Sequence, residues 1–227
     1  MRDGGTLRRG FGALALWAAT ICAQAADWYQ VEVIAFRYPP AATASWAAAT
    51  ALPDFSQATR LAPKESAAPT AGTPLAYAEL PPTLLHLTGA YLTLSKHGGY
   101  QVLFHTGWRQ SETDSRAVYL TDQVSADAST APVANPQSIE GTLRLQSGAK
   151  QYRITTQFIA HQNDLAVAIG EVRNVVPGEL HYFDHALLGM LVEVTPLDAN
   201  GEPLPPATEV APDAPATTKS AAPPTPN

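Results

Sequence analysis

The part of the sequence that most constrains the fold is a pair of alternating runs, SIEGTLRL and QYRITTQF, separated by a short turn. Apolar and polar residues alternate in the first run, where Leu143 and Leu145 flank Arg144. Ser147-Gly148 supplies turn residues, and Ile154 continues the alternation on the way back. A period of two is typical of a β-strand with one buried face, so this segment predicts an antiparallel β-hairpin.

Other apolar runs predict further strands around this hairpin. They are DWYQVEVIAFRY from Asp27, YQVLFHTGWRQ from Tyr100, a short stretch at Val118-Tyr119, LAVAIGEVRNVV and LLGMLVEVTPL. A leucine pattern near helical spacing lies between Pro81-Pro82 and Gly98-Gly99, and it predicts a helix from Pro82 to His97. The expected fold class is α+β, a single domain with a mainly antiparallel sheet of about five or six strands and one main helix packed on it.

The first 25 residues have the pattern of a cleavable signal peptide. MRDGGTLRRG is basic, FGALALWAATICA is apolar, and Ala23-Gln24-Ala25 has small residues at both positions that a signal peptidase recognises. The apolar run is shorter than the roughly 20 residues of a membrane span. We therefore expect a Sec signal over 1–25, cleavage after Ala25, and a periplasmic protein that is not an integral membrane protein. Cys22 lies inside this segment, so the mature chain has no thiol.

Two stretches rich in alanine and proline lie outside the periodic segments. We expect an irregular insertion at about 39–80 within a compact domain at 26–199, and a disordered tail at 200–227. The net charge is −6 at pH 7, and this acidic excess argues against nucleic acid as a partner.

Four segments in the same order, VEVIAFRY, YQVLFHTGWRQ, IEGTLRL and ELHYFDHALLGMLVEVTP, resemble the CsiV family of periplasmic peptidoglycan-binding proteins. The resemblance extends from about Trp28 to Leu197. It implies a non-enzymatic role in the proteobacterial, Gram-negative envelope, supporting cell-wall assembly and cell shape. The implied partners are peptidoglycan and the outer-membrane lipoprotein that activates a class A penicillin-binding protein. The resemblance implies no set of catalytic residues.

The densest group of titratable side chains lies in GELHYFDHALLGMLVEV, where His181 and His185 are four residues apart. On a helix, that spacing would bring both rings together at one metal ion. In a strand, the two residues are roughly 13 Å apart and cannot share an ion. We expect no metal here, and interpret both histidines as structural residues, with Asp184 capping a short turn over 185–188. The alternative is a periplasmic metal-dependent hydrolase that uses the two histidines.

A second group of candidates combines aromatic and polar side chains. In YQVLFHTGWRQ, His105 and Arg109 share one face of the strand and Trp108 points to the other. One interpretation makes His105 structural, buries Trp108 in the core and pairs Arg109 with a carboxylate. The other interpretation uses exposed rings as a sugar platform beside hydrogen-bond donors. Its candidate ligand-binding residues are Trp108, Arg109, Arg173, Asn174 and Tyr182.

The sequence contains neither G-x-S-x-G nor H-E-x-x-H, two motifs of hydrolytic enzymes. We therefore expect an exported accessory protein without enzymatic activity, metal or cofactor. It would bind peptidoglycan, a regulator of peptidoglycan synthesis, or both. A third possibility is a structural interaction module whose sheet edge pairs with a strand of a partner protein.

Overall fold

In the computed structural model of the chain, the structure describes residues 28–38, 48–63, 74–123, 137–148, 152–162 and 165–205. The predicted signal peptide over 1–25 lies outside the described residues. So do residues 206–227 of the predicted tail, and residues 39–47 and 64–73 of the predicted insertion.

Eight β-strands form two antiparallel sheets in the described part of the chain. They are β1 Trp28–Arg37, β2 Gln101–Ser111, β3 Ala117–Thr121, β4 Ile139–Ser147, β5 Tyr152–Gln162, β6 Leu165–Val175, β7 Leu180–His185 and β8 Leu188–Leu197. Sheet A has the strand order β2-β1-β8-β7, and sheet B has the order β3-β4-β5-β6. The predicted β4–β5 hairpin is confirmed, with Ser147 opposite Tyr152. The expected α+β fold, a single sheet of five or six strands under one main helix, is wrong, because the protein is mostly β.

The two sheets pack face to face around a shared hydrophobic core. Val31 and Val192 of sheet A and Leu143 and Phe158 of sheet B are all fully buried. A four-stranded sheet with ten-residue strands is about 15 Å wide and about 33 Å long. A nine-residue helix is only about 14 Å long, so it cannot cover such a face. The second sheet covers it instead.

The helix is much shorter than predicted. The prediction extended from Pro82 to His97, whereas helix α1 spans Thr88–Lys96 and a separate 3-10 turn spans Pro82–Leu84. No residue of α1 is fully buried. Among the described residues, no helix is long and apolar enough to cross a membrane.

A buried carboxylate explains the break between the 3-10 turn and α1. The backbone N–H groups of His86 and Leu87 donate to the two carboxylate oxygens of Glu32 in β1, at 2.7 and 2.8 Å. In a continuous helix these groups would donate to carbonyls four residues earlier. Glu32 therefore replaces helical hydrogen bonds with contacts to sheet A, which the local leucine spacing does not reveal.

Segments of the predicted insertion close one side of the sandwich. Residues 77–80 pair with β2, where the N–H of Tyr77 donates to a β2 carbonyl at 2.9 Å. Residues 59–62 continue the connection, since Ala62 donates to the carbonyl of Tyr77 at 2.8 Å and Thr59 forms a bridge to β3. Backbone hydrogen bonds therefore extend from β2 across both segments to β3.

The opposite side of the sandwich is formed by β6 and β7, the last strands of their sheets. Gly178 in their connection has a φ of +80°, a left-handed conformation that glycine adopts without steric cost. Arg173 of β6 also donates to the main-chain oxygen of Tyr182 in β7. Backbone and side chain together hold the two strands side by side.

The first residues of the predicted tail contact the end of β8, where the N–H of Leu204 donates to the carbonyl of Pro196 at 2.9 Å.

Candidate functional site

The face of sheet A that points away from sheet B, here called the outer face, presents aromatic and charged side chains. Its register places Glu32 of β1 opposite Glu193 of β8, and Phe36 opposite Gly189. The glycine makes room for the aromatic ring, because a Cβ at Gly189 would lie 2.4 Å from an atom of Phe36. The outer face therefore carries two neighbouring groups, one aromatic and one acidic.

The aromatic patch consists of Phe36, Tyr38, Tyr100 and Tyr182. The rings of Phe36 and Tyr182 are nearly parallel, with centroids 6.3 Å apart and planes inclined by 3°. Tyr100 packs edge-on against Phe36 at 5.4 Å and against Tyr38 at 6.0 Å. Tyr100 and Tyr182 are 41% and 40% exposed, respectively. The patch therefore offers ring surface to a ligand while each ring is supported by its neighbours.

Asp184 supplies a carboxylate beside the aromatic patch. Its Oδ1 accepts hydrogen bonds from the hydroxyls of Tyr38 at 2.7 Å and Tyr182 at 3.1 Å, and the two hydroxyls also contact each other. Burial, and then the contact with Asp184, raise the pKa of Tyr182 to about 12, so it stays a neutral donor at physiological pH. Within the described chain, no group donates to Oδ2 of Asp184, which leaves that oxygen as an acceptor for a ligand.

Glu32 is the centre of the acidic group. It is 1% exposed. Its Oε1 contacts Nε2 of His105 at 2.6 Å and accepts the N–H of Leu87, and its Oε2 accepts the N–H of His86. The ring of Tyr91 from α1 stacks on His105, with centroids 5.1 Å apart. Three hydrogen bonds therefore fix the orientation of a buried carboxylate under the start of α1.

Glu193 and His86 complete the acidic group. One carboxylate oxygen of Glu32, one of Glu193 and one ring nitrogen of His86 all lie within 4.8 Å of one another. Partial burial raises the pKa of Glu193, the Glu32 carboxylate raises it further, and His86 opposes the shift. The repulsion has a simple origin, since Glu32 and Glu193 are direct cross-strand partners and point to the same face.

The raised pKa of Glu193 predicts a pH dependence of stability. The folded state holds this proton to a higher pH than the unfolded state, so the stabilisation is complete below pH 4.5 and is lost as pH rises through the folded-state pKa. Glu193→Gln, which resembles the protonated form, is expected to remove this loss. Urea unfolding between pH 4 and pH 8 measures the difference in free energy of unfolding between the variant and the unmodified protein. This difference is expected to grow in favour of the variant as pH rises, and a constant difference across that range would contradict the prediction.

Trp108 and Arg109 lie away from the aromatic patch. Trp108 is fully buried between the sheets and donates to Oε1 of Gln110 at 3.1 Å, so its ring is not accessible to a ligand. Arg109 is on the outer face and donates to Gln30 at 3.4 Å, and burial lowers its pKa. Gln30 is six residues from Phe36, or about 20 Å along β1. Neither residue joins the candidate site.

Arg173 and Asn174 differ in their relation to the patch. Besides contacting the main chain of Tyr182, Arg173 pairs with Glu171 at 2.5 Å and lies over the Phe183 ring at 4.8 Å. It therefore supports the strand that carries Tyr182. Asn174 is exposed on β6 opposite Arg153, next to the buried Val175, and so points to the outer side of sheet B. Of the five predicted ligand-binding residues, only Tyr182 lies in the patch.

His181 and His185, which the sequence predicts to be structural, form local contacts near opposite ends of β7. The Nε2 of His181 lies 3.0 Å from both the backbone nitrogen and the oxygen of Val176. The Nδ1 of His185 accepts the N–H of Leu187 at 3.3 Å, and burial lowers the pKa of this histidine. The sequence predicts that Asp184 caps a short turn over 185–188; in the structure residues 186–187 form the turn between β7 and β8, and Oδ1 of Asp184 instead accepts from Tyr38 and Tyr182 on the outer face.

Sequence reasoning missed most of both groups. It did not select Phe36, Tyr38, Tyr100, Glu32, His86 or Glu193. These residues come from β1 and the residue after it, the segment before α1, the residue before β2, and β8, so they are distant in sequence. The alternation in β1 does place Glu32 and Phe36 on a common face, but their partners depend on the strand register.

Comparison with known proteins gives one family. The family model described as "Peptidoglycan-binding protein, CsiV" matches residues 11–165 and 146–197, which together include most of the chain. No curated protein and no solved structure matches the chain.

Proposed function

Because the chain belongs to the CsiV family of peptidoglycan-binding proteins, we propose that it binds peptidoglycan glycan through the aromatic patch and Asp184. The observation that carries the proposal is the pair of exposed rings, Tyr100 and Tyr182, in one supported cluster. Pyranose rings have an apolar face that packs on aromatic rings. Oδ2 of Asp184 is placed to accept a hydrogen bond from a sugar hydroxyl or an acetamido N–H.

The charge of the protein supports stacking over electrostatic attraction. The chain has a net charge of −6 and an isoelectric point near 5.4. Peptidoglycan also carries carboxylates, so long-range forces between the two are repulsive at neutral pH. Binding must then depend on short-range contacts, which the aromatic patch provides.

The same proposal includes the setting in which the protein acts. The chain is exported by the signal peptide over 1–25, cleaved after Ala25, and serves in the periplasm as a non-enzymatic accessory of cell-wall assembly and cell shape. We also infer an association with the lipoprotein activator of a class A penicillin-binding protein. One observation favours a protein partner. Val176 and Leu180 flank the turn between β6 and β7 and are 53% and 51% exposed, and exposed apolar side chains are common at interaction sites.

Co-sedimentation with purified sacculi tests the binding proposal. The mature protein is expected in the pellet, to remain there at about 1 M salt, where the Debye length falls to about 3 Å, and to be released by soluble glycan strands. If it stays in the supernatant at moderate salt, glycan binding is wrong and the interaction-module hypothesis takes its place. Cellulose also presents pyranose rings but lacks acetamido groups, so weaker retention on cellulose than on sacculi is expected if the contact between Asp184 and an acetamido N–H contributes to binding.

A further inference from the structure

The acidic group on the outer face contains an unbalanced charge. Glu32 and Glu193 are cross-strand partners on β1 and β8, and like charges in that position repel. Within the described chain, no lysine or arginine forms an ion pair with either carboxylate; the nearby bases are His105 and His86. The hydrogen bonds of Glu32 explain why that residue is there, but they do not explain why a second glutamate faces it.

The carboxylate of Glu32 retains room for one more partner. An ionised carboxylate has about four lone-pair positions on its two oxygens. His105 and the N–H of Leu87 occupy those of Oε1, and the N–H of His86 occupies one of Oε2. One position on Oε2 is left, and the three existing bonds hold that oxygen in a fixed direction. Metal-binding carboxylates are commonly oriented by such additional hydrogen bonds.

We propose that Glu32, Glu193 and His86 form a binding site for a divalent transition-metal ion. Their donor atoms lie within 4.8 Å of one another, and the exposed side chain of His86 can complete the approach by a change of rotamer. An imidazole nitrogen favours zinc and its transition-metal neighbours over magnesium or calcium, which prefer oxygen. The ion offsets the repulsion between the two carboxylates and ties the segment before α1 to β1 and β8.

His105 has a separate task in this site. It contacts Oε1 of Glu32, so it is a positioning residue that holds the carboxylate while Oε2 faces the ion. The site is independent of the glycan proposal, because it shares no residue with the aromatic patch or Asp184. Two protein ligands on paired strands and one on the segment before α1 leave the remaining coordination positions to water.

Zinc titration of untagged protein, after removal of metals with a chelator, tests the site. Calorimetry and elemental analysis are expected to give one zinc ion per chain, and the melting temperature is expected to rise with zinc concentration. His86→Ala and Glu193→Gln are each expected to weaken zinc binding by about tenfold or more. Glu193→Gln should in addition raise the melting temperature of the metal-free protein, because the repulsion with Glu32 is gone.

His97→Ala is the matched control, since His97 is an exposed histidine at the end of α1 outside the acidic group. It is expected to bind zinc like the unmodified protein. The proposal is overturned if the unmodified protein shows no saturable binding up to about 1 mM zinc, a Kd near the weak limit of specific affinity. It is equally overturned if Glu193→Gln and His86→Ala both titrate like His97→Ala. Glu193→Gln retains every histidine, so loss of binding there cannot come from loss of a nonspecific imidazole.

Discussion

Replacing Tyr182 with alanine is expected to weaken binding to sacculi by about 30-fold, which corresponds to about 2 kcal/mol and is typical of a central aromatic contact. Tyr182 provides an exposed ring, stacks on Phe36 and donates to Asp184. The side chain lies on an edge strand and is 40% exposed, so its removal is expected to cost only about 1 kcal/mol of folding stability. Sedimentation isotherms with purified sacculi measure the first effect, and urea unfolding measures the second.

Two further variants separate stacking from other effects of this substitution. Tyr182→Phe keeps the ring and loses the hydroxyl bond to Asp184, so it is expected to retain most of the binding. Val172→Ala, on the outer side of sheet B, removes an apolar side chain outside the patch that is more exposed than Tyr182, 62% against 40%, and is expected to bind normally. The glycan surface lies elsewhere if Tyr182→Ala binds sacculi as well as the unmodified protein does. The same conclusion follows if Val172→Ala loses as much binding as Tyr182→Ala.

Replacing Glu32 with alanine is expected to lower the free energy of unfolding by about 3 to 5 kcal/mol, because it removes the acceptor of three hydrogen bonds and each unsatisfied donor costs about 1 to 3 kcal/mol. The change leaves His105 and the backbone N–H groups of His86 and Leu87 without their acceptor, in a position that is buried at Leu87 and partly buried at the two histidines. The loss should be concentrated in the segment before α1, because Glu32 supplies the hydrogen bonds that hold it. Urea unfolding gives the total, and amide hydrogen exchange at His86 and Leu87 gives its location.

Glu140→Ala is the matched control on sheet B. Glu140 also accepts from a neighbouring side chain, Tyr119 at 2.6 Å, and lies 3.6 Å from His161, but its side chain is 33% exposed. Its removal is expected to cost about 1 kcal/mol, as for an ordinary hydrogen bond. If Glu32→Ala costs no more than Glu140→Ala, the carboxylate does not hold the segment before α1.

Strand patterns were the most predictable part of this fold, because they depend on local alternation. The hairpin of β4 and β5 and the separation of His105 from Trp108 on opposite faces of β2 follow from a period of two. The assembly of the strands into two sheets does not follow, since alternation reveals that a face is buried but not what covers it. The helix was overextended for a related reason: its interruption depends on Glu32, more than 50 residues away in sequence.

The stretch from Gly178 to Val194 illustrates the same limit within the candidate site. Its histidines and acidic residue suggested one group, yet β7 directs Tyr182 and Asp184 to the outer face and buries Phe183 on the other. The stretch contains both β7 and β8, which pair directly with each other. The sequence predicts Tyr182 as a ligand-binding residue, and the rings that pack with it in the patch come from β1, from Tyr38 just after it and from Tyr100 just before β2.

The closure of the β2–β3 side by residues 59–62 and 77–80 limits how copies of this protein can assemble. Strands that already have partners cannot template the addition of another chain, which is how exposed sheet edges begin to aggregate. Among the described residues, the outermost strands on the opposite side are β6 and β7, and in β6 the carbonyl of Ala166 accepts the N–H of Ala49. A molecule that can add strands on a single side can form a pair but not a fibre, because growth needs two complementary sides. This one-sided geometry favours a discrete complex over open-ended polymerisation.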